Sequence, residues 1–252
     1  MMKKLLIAIF FTIVLPLSVI AAEKKADQID YLSLAAVLIR DGFFDRAEQA
    51  LQSVDAQDET IDKMRLYTLS GIVSFEKQAY AKAITHFTKA TNMDSNASEL
   101  FIYIARANYA TKKYEETITA LDNSGELGVS KADLFSMKLS SYWKLKNINK
   151  TWETFTIAHQ KFAQNSTLMR QHFFYAVELG LFQEALIYGE QFLASGSAKV
   201  EDYLALGAAL RKSRAYTKAL HFLENAKLRY PSDERVILSL AHVYLDMDQI
   251  TT

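Results

Sequence analysis

The chain carries five histidines, His86, His159, His172, His221 and His242, and no cysteine. Imidazole is the side chain that exchanges protons near neutral pH, so acid–base or metal chemistry would start from these five. Their spacing argues against it. No two histidines stand four apart around a glutamate, as a zinc-binding helix requires. No Gly-x-Ser-x-Gly elbow presents a nucleophile, and no glycine-rich loop is built to cradle phosphate. Without cysteine, thiolate catalysis, disulfides and sulfur-ligated metals are excluded. Carboxylates are plentiful but scattered, as solvated helix faces require. Each histidine therefore reads as a helix-face residue. The expectation is a protein that is not an enzyme, with no catalytic residue, no metal site and no cofactor.

The elements that carry these side chains are helices. Half of the 252 residues are apolar and 23% are charged, which suits a folded chain. The chain has eight glycines and two prolines, Pro16 and Pro231, so little interrupts a helix. Basic and acidic residues balance at 29 each. That leaves no basic stripe for phosphate, so nucleic acid is not an expected partner, and no small-molecule substrate is indicated. Asn96-Ala97-Ser98 and Asn165-Ser166-Thr167 match the glycosylation acceptor pattern but read as short polar loops.

Residues 1–22 read as a signal peptide. Lys3 and Lys4 precede an apolar run from Leu5 to Leu15, then come Pro16, Ser18 and the small-residue exit Ala21-Ala22. Cleavage after Ala21 or Ala22 would place the mature chain, residues 23–252, beyond the inner membrane, in the periplasm if the source is bacterial. The mature chain then has 27 basic and 29 acidic residues, a net charge of −2. Retention of the segment as an anchor is the alternative, although the run is shorter than the ~20 residues that span a bilayer. With no cysteine, a lipoprotein is excluded.

Residues 199–231 hold the pattern that the rest of the chain copies. Tyr203, Leu206, Gly207 and Leu210 mark one amphipathic helix; Tyr216, Ala219, Leu223 and Ala226 mark a second, and Pro231 closes the unit. Stepping back from Ala219, the equivalent small residue falls at Ala185, Thr151, Thr117, Ala83 and Ala47, at intervals of 34, 34, 34, 34 and 36. A fixed period of this length marks a repeat array, and a helix–turn–helix unit makes it an α-solenoid. The repeats are expected at residues 28–60, 64–97, 98–131, 132–165, 166–199 and 200–233, with a capping helix at 233–246.

Two repeats depart from the pattern. In the third, Asp122-Asn123-Ser124-Gly125 is strong turn chemistry and predicts a short second helix. In the fifth, Phe173 stands where a small residue is expected and Gly189 where a bulky one is, a size inversion that conserves core volume.

This register resembles the tetratricopeptide repeat (TPR) family. The resemblance rests on Tyr203, Leu206, Gly207, Ala219, Ala226 and Pro231, and on Tyr67, Gly71, Phe75, Tyr80, Ala83, Phe87 and Ala90. It covers about residues 28–246 and implies an all-α fold, an α-α superhelix of about six repeats plus a capping helix. It further implies that the first helix of each repeat lines a concave groove for a protein or peptide. The matching places hold Arg65, Phe75, Tyr103, Arg106, Tyr109, Trp143, Arg170, Phe174 and Arg211, residue types enriched where binding energy concentrates. Phe75, Tyr109 and Trp143 share one repeated place, where core and groove are both open readings. The places that clamp a chaperone's terminal carboxylate hold Leu32 and Ala36, which lack that chemistry. Secreted members of the family serve pilus or secretion assembly, polysaccharide export, cell-wall enzyme complexes and TonB-type coupling. The expected function is thus a non-catalytic envelope scaffold or adaptor; self-association through residues 233–252 is the alternative.

Overall fold

The computed structural model describes residues 29–251; the signal-peptide segment lies outside the described residues. Among those residues every regular element is helical. The helices come in pairs: α1 (Tyr31–Arg40) with α2 (Phe44–Gln52), α3 (Lys63–Glu76) with α4 (Tyr80–Thr91), α5 (Ser98–Ala110) with α6 (Tyr114–Asn123), and α7 (Ala132–Lys144) with α8 (Ile148–Lys161). Then follow α9 (Ser166–Leu179) with α10 (Phe182–Ala194), α11 (Val200–Lys212) with α12 (Tyr216–Arg229), and a last helix, α13 (Glu234–Thr251).

Four of the helices start on side-chain caps. The carboxylates of Asp30 and Asp62 accept from the backbone N–H of Ser33 and Arg65, and the amide oxygens of Asn147 and Asn165 accept from Lys150 and Leu168. Each cap satisfies a donor that the first turn leaves without an intrahelical partner.

The turn inside each pair repeats more strictly than the sequence does. Gly42, Gln78, Lys112, Lys146, Gly180 and Arg214 all have φ between 59° and 80°. The residue after each of them donates back to the carbonyl five positions earlier: Phe43 to Leu38, Ala79 to Ser74, Lys113 to Asn108, Asn147 to Tyr142, Leu181 to Ala176 and Ala215 to Leu210, all at 2.8–2.9 Å. This is the closing bond of a Schellman cap. Four of the six turns hold a residue other than glycine in the left-handed region, so the bond and the packing beyond it outweigh a backbone penalty of about 1–2 kcal/mol each.

That packing is a close approach of the two helices. Ala47, Ala83, Thr117, Thr151, Ala185 and Ala219 all have zero exposure. Where the residue is threonine, its buried hydroxyl is satisfied locally: Thr117 donates to the Lys113 carbonyl at 2.7 Å and Thr151 to the Asn147 carbonyl at 2.9 Å. In the second and sixth repeats a second small residue, in the first helix, receives a large side chain from the second. A methyl group on Gly71 would lie 2.5 Å from the Phe87 ring, and one on Gly207 would lie 2.7 Å from Leu223.

The fifth repeat reverses the sizes: fully buried Phe173 of α9 packs over Gly189 of α10, whose added methyl would meet that ring at 3.1 Å and Leu206 at 3.2 Å. The third repeat also departs. Its second helix stops at Asn123, followed by a 3₁₀ turn, Gly125–Val129, in which Gly128 sits against the Leu121 carbonyl and the Ser124 hydroxyl too closely for any side chain.

Contacts group the chain into two compact units that divide between Ala90 and Thr91. In the first unit Leu32, Ala35, Ala47, Leu51, Leu66, Leu69 and Val73 form the core. In the second, Phe135, Leu139, Phe155, Ala158 and Leu168 form one cluster, and a larger one centres on Phe173, Leu206, Leu223 and Val236.

The size inversion yields a coupled prediction. Phe173→Ala alone should cost about 3–5 kcal/mol by opening a cavity, and Gly189→Leu alone should clash. Together they restore the small-over-large arrangement of the second and sixth repeats. Urea unfolding of the double variant should therefore recover more than about 1 kcal/mol relative to the sum of the singles.

Candidate functional site

The residues singled out above lie on the first helices: Arg65 on α3, Tyr103, Arg106 and Tyr109 on α5, Trp143 on α7, Arg170 and Phe174 on α9, and Arg211 on α11. In the first unit, Arg65 is exposed, and its Nη2 donates to the Ser33 hydroxyl of α1 at 3.2 Å. In the second unit the arginines form a ladder between successive first helices. Arg106 Nη2 pairs with Asp133 Oδ2 of α7 at 3.0 Å, Arg170 Nε with Asp202 Oδ1 of α11 at 2.9 Å, and Arg211 Nε with Asp246 Oδ2 of α13 at 3.1 Å. Arg235 closes it from the other direction, on Glu201 at 3.1 Å. These guanidinium groups already hold carboxylates of the chain itself, so each links repeats before it can meet a partner.

The aromatic residues divide. Trp143 is an interior residue, 7% exposed, its ring flat on Tyr175 of α9 at 4.1 Å and 3°. This corrects its assignment to a binding surface: the ring area that a partner would use is covered by Tyr175. Phe75 and Tyr109, at the same repeated place, are half-buried and meet the first residue of their own second helix edge-on, Tyr80 at 5.6 Å and Tyr114 at 6.0 Å. Tyr103 is half-buried on α5. Phe174 is half-buried and lies under the Arg170 guanidinium, 4.6 Å from its ring centre.

Beside Arg170 lies a cavity of about 390 Å³, lined by Ser136, Thr167, Gln171, Ser197, Lys199 and Asp202 among others. It brings together α7, α9 and the start of α11. Asp202 is 1% exposed; besides Arg170 it accepts the Lys199 backbone N–H at 2.8 Å, at the start of α11. Gln171 donates through Nε2 to the Ser136 carbonyl at 3.1 Å and to the Ser140 hydroxyl at 2.8 Å, while its Oε1 is buried with no donor. An unsatisfied buried acceptor of this kind costs about 1–3 kcal/mol. Gln171, Lys199 and Asp202 were not singled out from the sequence. The usable signal was a carboxylate about one repeat downstream of each arginine: Asp133, Asp202 and Asp246.

The histidines behave unequally. His221 and His242 are exposed. His86 lines a cavity of about 410 Å³ in the first unit with Glu48, Ser70, Ser74 and Lys82; its Nδ1 is buried without a partner, and burial, then Lys89 and Lys82, lowers its pKa. His172 is not a helix-face residue: it is 4% exposed and hydrogen-bonded to His159 and Glu184. Among the described residues no three His, Asp or Glu side chains are placed to hold a metal ion.

Taken together, the αL-closed helix pairs and their stacked first helices define a repeat scaffold, and the chain has the TPR fold. Solved structures agree. PilF of Pseudomonas aeruginosa superposes with a TM-score of 0.59 at 15% identity, over 84% of this chain and 96% of that one. MamA gives a TM-score of 0.60 at 14% identity, over 67% of this chain and 96% of its own. YrrB, described as a TPR protein with an unusual peptide-binding site, gives 0.57 at 16% identity, over 78% and 96%. No family model and no curated protein matches the chain.

The ladder's rungs are unequal, which is testable by unfolding. Arg170→Ala strands a buried carboxylate and should cost about 2 kcal/mol. Arg106→Ala frees Asp133, which is 57% exposed, and should cost less than about 0.5 kcal/mol.

Proposed function

We propose that the chain is a non-catalytic scaffold of the cell envelope, exported by its leader, that holds a peptide segment of another envelope protein against the first-helix face of its second unit. The observation that carries this reading is the cavity between α7, α9 and α11. Its wall alternates hydroxyl, amide and charged groups, with Phe192 as its large apolar element. Such a lining suits the donors and acceptors of a peptide main chain better than an apolar ligand. The ion-pair ladder holds that surface in place, so binding requires little rearrangement. The leader-like segment supports the envelope location, and among the described residues no helix is long and apolar enough to cross a membrane. YrrB, a TPR protein with an unusual peptide-binding site, points the same way.

A photo-crosslinking residue at Thr167, in cells, should trap one discrete protein. The same residue at Ile157, on the exposed face of α8, should not trap it. Ser197→Trp, which fills the cavity, should abolish the adduct. An equal yield from Ser197→Trp would count against the site.

A second reading has its own observation. On α13, Ile237, Leu238, Tyr244 and Leu245 are 48–58% exposed, an apolar face that a further copy of the chain could cover. This reading expects sedimentation of the mature chain to show mass rising with concentration, and Leu245→Glu to return it to monomer. A monomer at every concentration ends it.

A further inference from the structure

The site and its ladder leave one buried cluster unexplained, where α8, α9 and α10 meet at the junction of the fourth and fifth repeats. His172 of α9 lies between the second helices of those repeats. Its ring stacks on Phe155 of α8 at 4.2 Å and on Tyr188 of α10 at 3.8 Å. Its Nδ1 is 2.9 Å from Nε2 of His159 on α8, and its Nε2 is 3.1 Å from Oε2 of Glu184 on α10. That same Oε2 accepts the indole N–H of Trp152, on α8, at 2.8 Å.

The proton positions follow from the partners. An indole nitrogen can only donate and a carboxylate only accept. With Glu184 accepting, His172 carries its proton on Nε2 and offers a bare Nδ1 to the N–H of His159. The chain therefore runs from His159 through His172 to Glu184 with one proton in each link. The titratable groups that face His172 are His159 from α8 and Glu184 and Tyr188 from α10. The flanking first helices meet α9 elsewhere: α7 at Gln171 and Tyr175, α11 at Arg170.

We infer that this His159–His172–Glu184 chain is an acid-sensitive joint, which holds α8 against α9 and α10 near neutral pH and loosens them in acid. One extra proton can be absorbed on Nδ1 of His159, which still donates from Nε2 to His172 and leaves His172 neutral. A second proton puts N–H against N–H at 2.9 Å between two cations, with one carboxylate to offset them. The pair must then separate, and the His172 imidazolium must leave a stacked, dry site. Burial is the main cause that lowers both histidines, and it takes His172 to about 4, against the pull of Glu184.

The sign follows from linkage. The open form takes protons near pH 6.5 and the closed form resists them. Closure is therefore fully favourable above about pH 6.5 and is lost as pH falls, roughly ten-fold in the closed-to-open ratio per pH unit, until His172 itself charges near pH 4. The opposite face of α9 carries Arg170 and Gln171, so opening reaches the cavity through neighbouring residues of one helix.

The test is backbone hydrogen exchange of the full mature chain at pH 7.5 and 5.5, corrected for intrinsic rates. Protection in α8–α10 should fall about ten-fold more than in α1–α3. His159→Gln keeps an N–H for His172 but cannot charge, and should shrink that difference severalfold. Glu184→Gln removes the counter-charge and should enlarge it. Responses that are the same in all three proteins, or imidazole NMR signals of His159 and His172 that titrate independently near pH 6.5, would overturn the inference.

Discussion

Each helix pair closes on a residue no larger than threonine, and the closing position has zero exposure in all six pairs. The turn before it is in every pair committed to a left-handed residue and to a carbonyl five positions back. Turn and contact sustain one another. The left-handed residue aims the second helix, and the close approach offsets the strain of placing lysine, glutamine or arginine where glycine would be relaxed. From this contact follow the inward orientation of Phe87, Phe155 and Leu223 and the alignment that lets one first helix lie against the next.

In the second unit, polar and aromatic links between first helices add to the apolar contacts of the core. Arg106, Arg170 and Arg211 reach forward to carboxylates of the next repeat, Trp143 lies flat on Tyr175, and Gln171 reaches back to Ser136 and Ser140. Ion pairs with exposed partners add little stability. Their effect is to fix register between neighbours, and the Arg170–Asp202 link, with its carboxylate buried, is the rung where stability and register coincide.

Much of the architecture was legible because it is periodic. Ala219 and its predecessors recur at a fixed interval, and Phe173 with Gly189 announced the inverted repeat as two mismatches of opposite sign. The short second helix of the third repeat was legible in Asp122-Asn123-Ser124-Gly125, which the 3₁₀ turn follows. The site was less so. A register position shows which helix an arginine sits on, not which carboxylate its long side chain reaches, and that depends on how two repeats stack. Trp143 shares its place with Phe75 and Tyr109, and nothing in that register foretells that its ring lies flat on Tyr175. His172 gave no local signal, since its partners lie 13 residues before it and 12 after it.

The hollow left by Gly189 is filled from two sides, by Phe173 of its own repeat and by Leu206 of the next. Repeats that look alike along the chain are thus cut like lock and key. A nascent chain that docked α10 one unit out of step would set a glycine void or a phenylalanine against the wrong neighbour. Arrays of near-identical modules are prone to such slippage and to exchange between copies. One irregular unit near the middle of the second stack gives the chain a fixed point from which its order can be told.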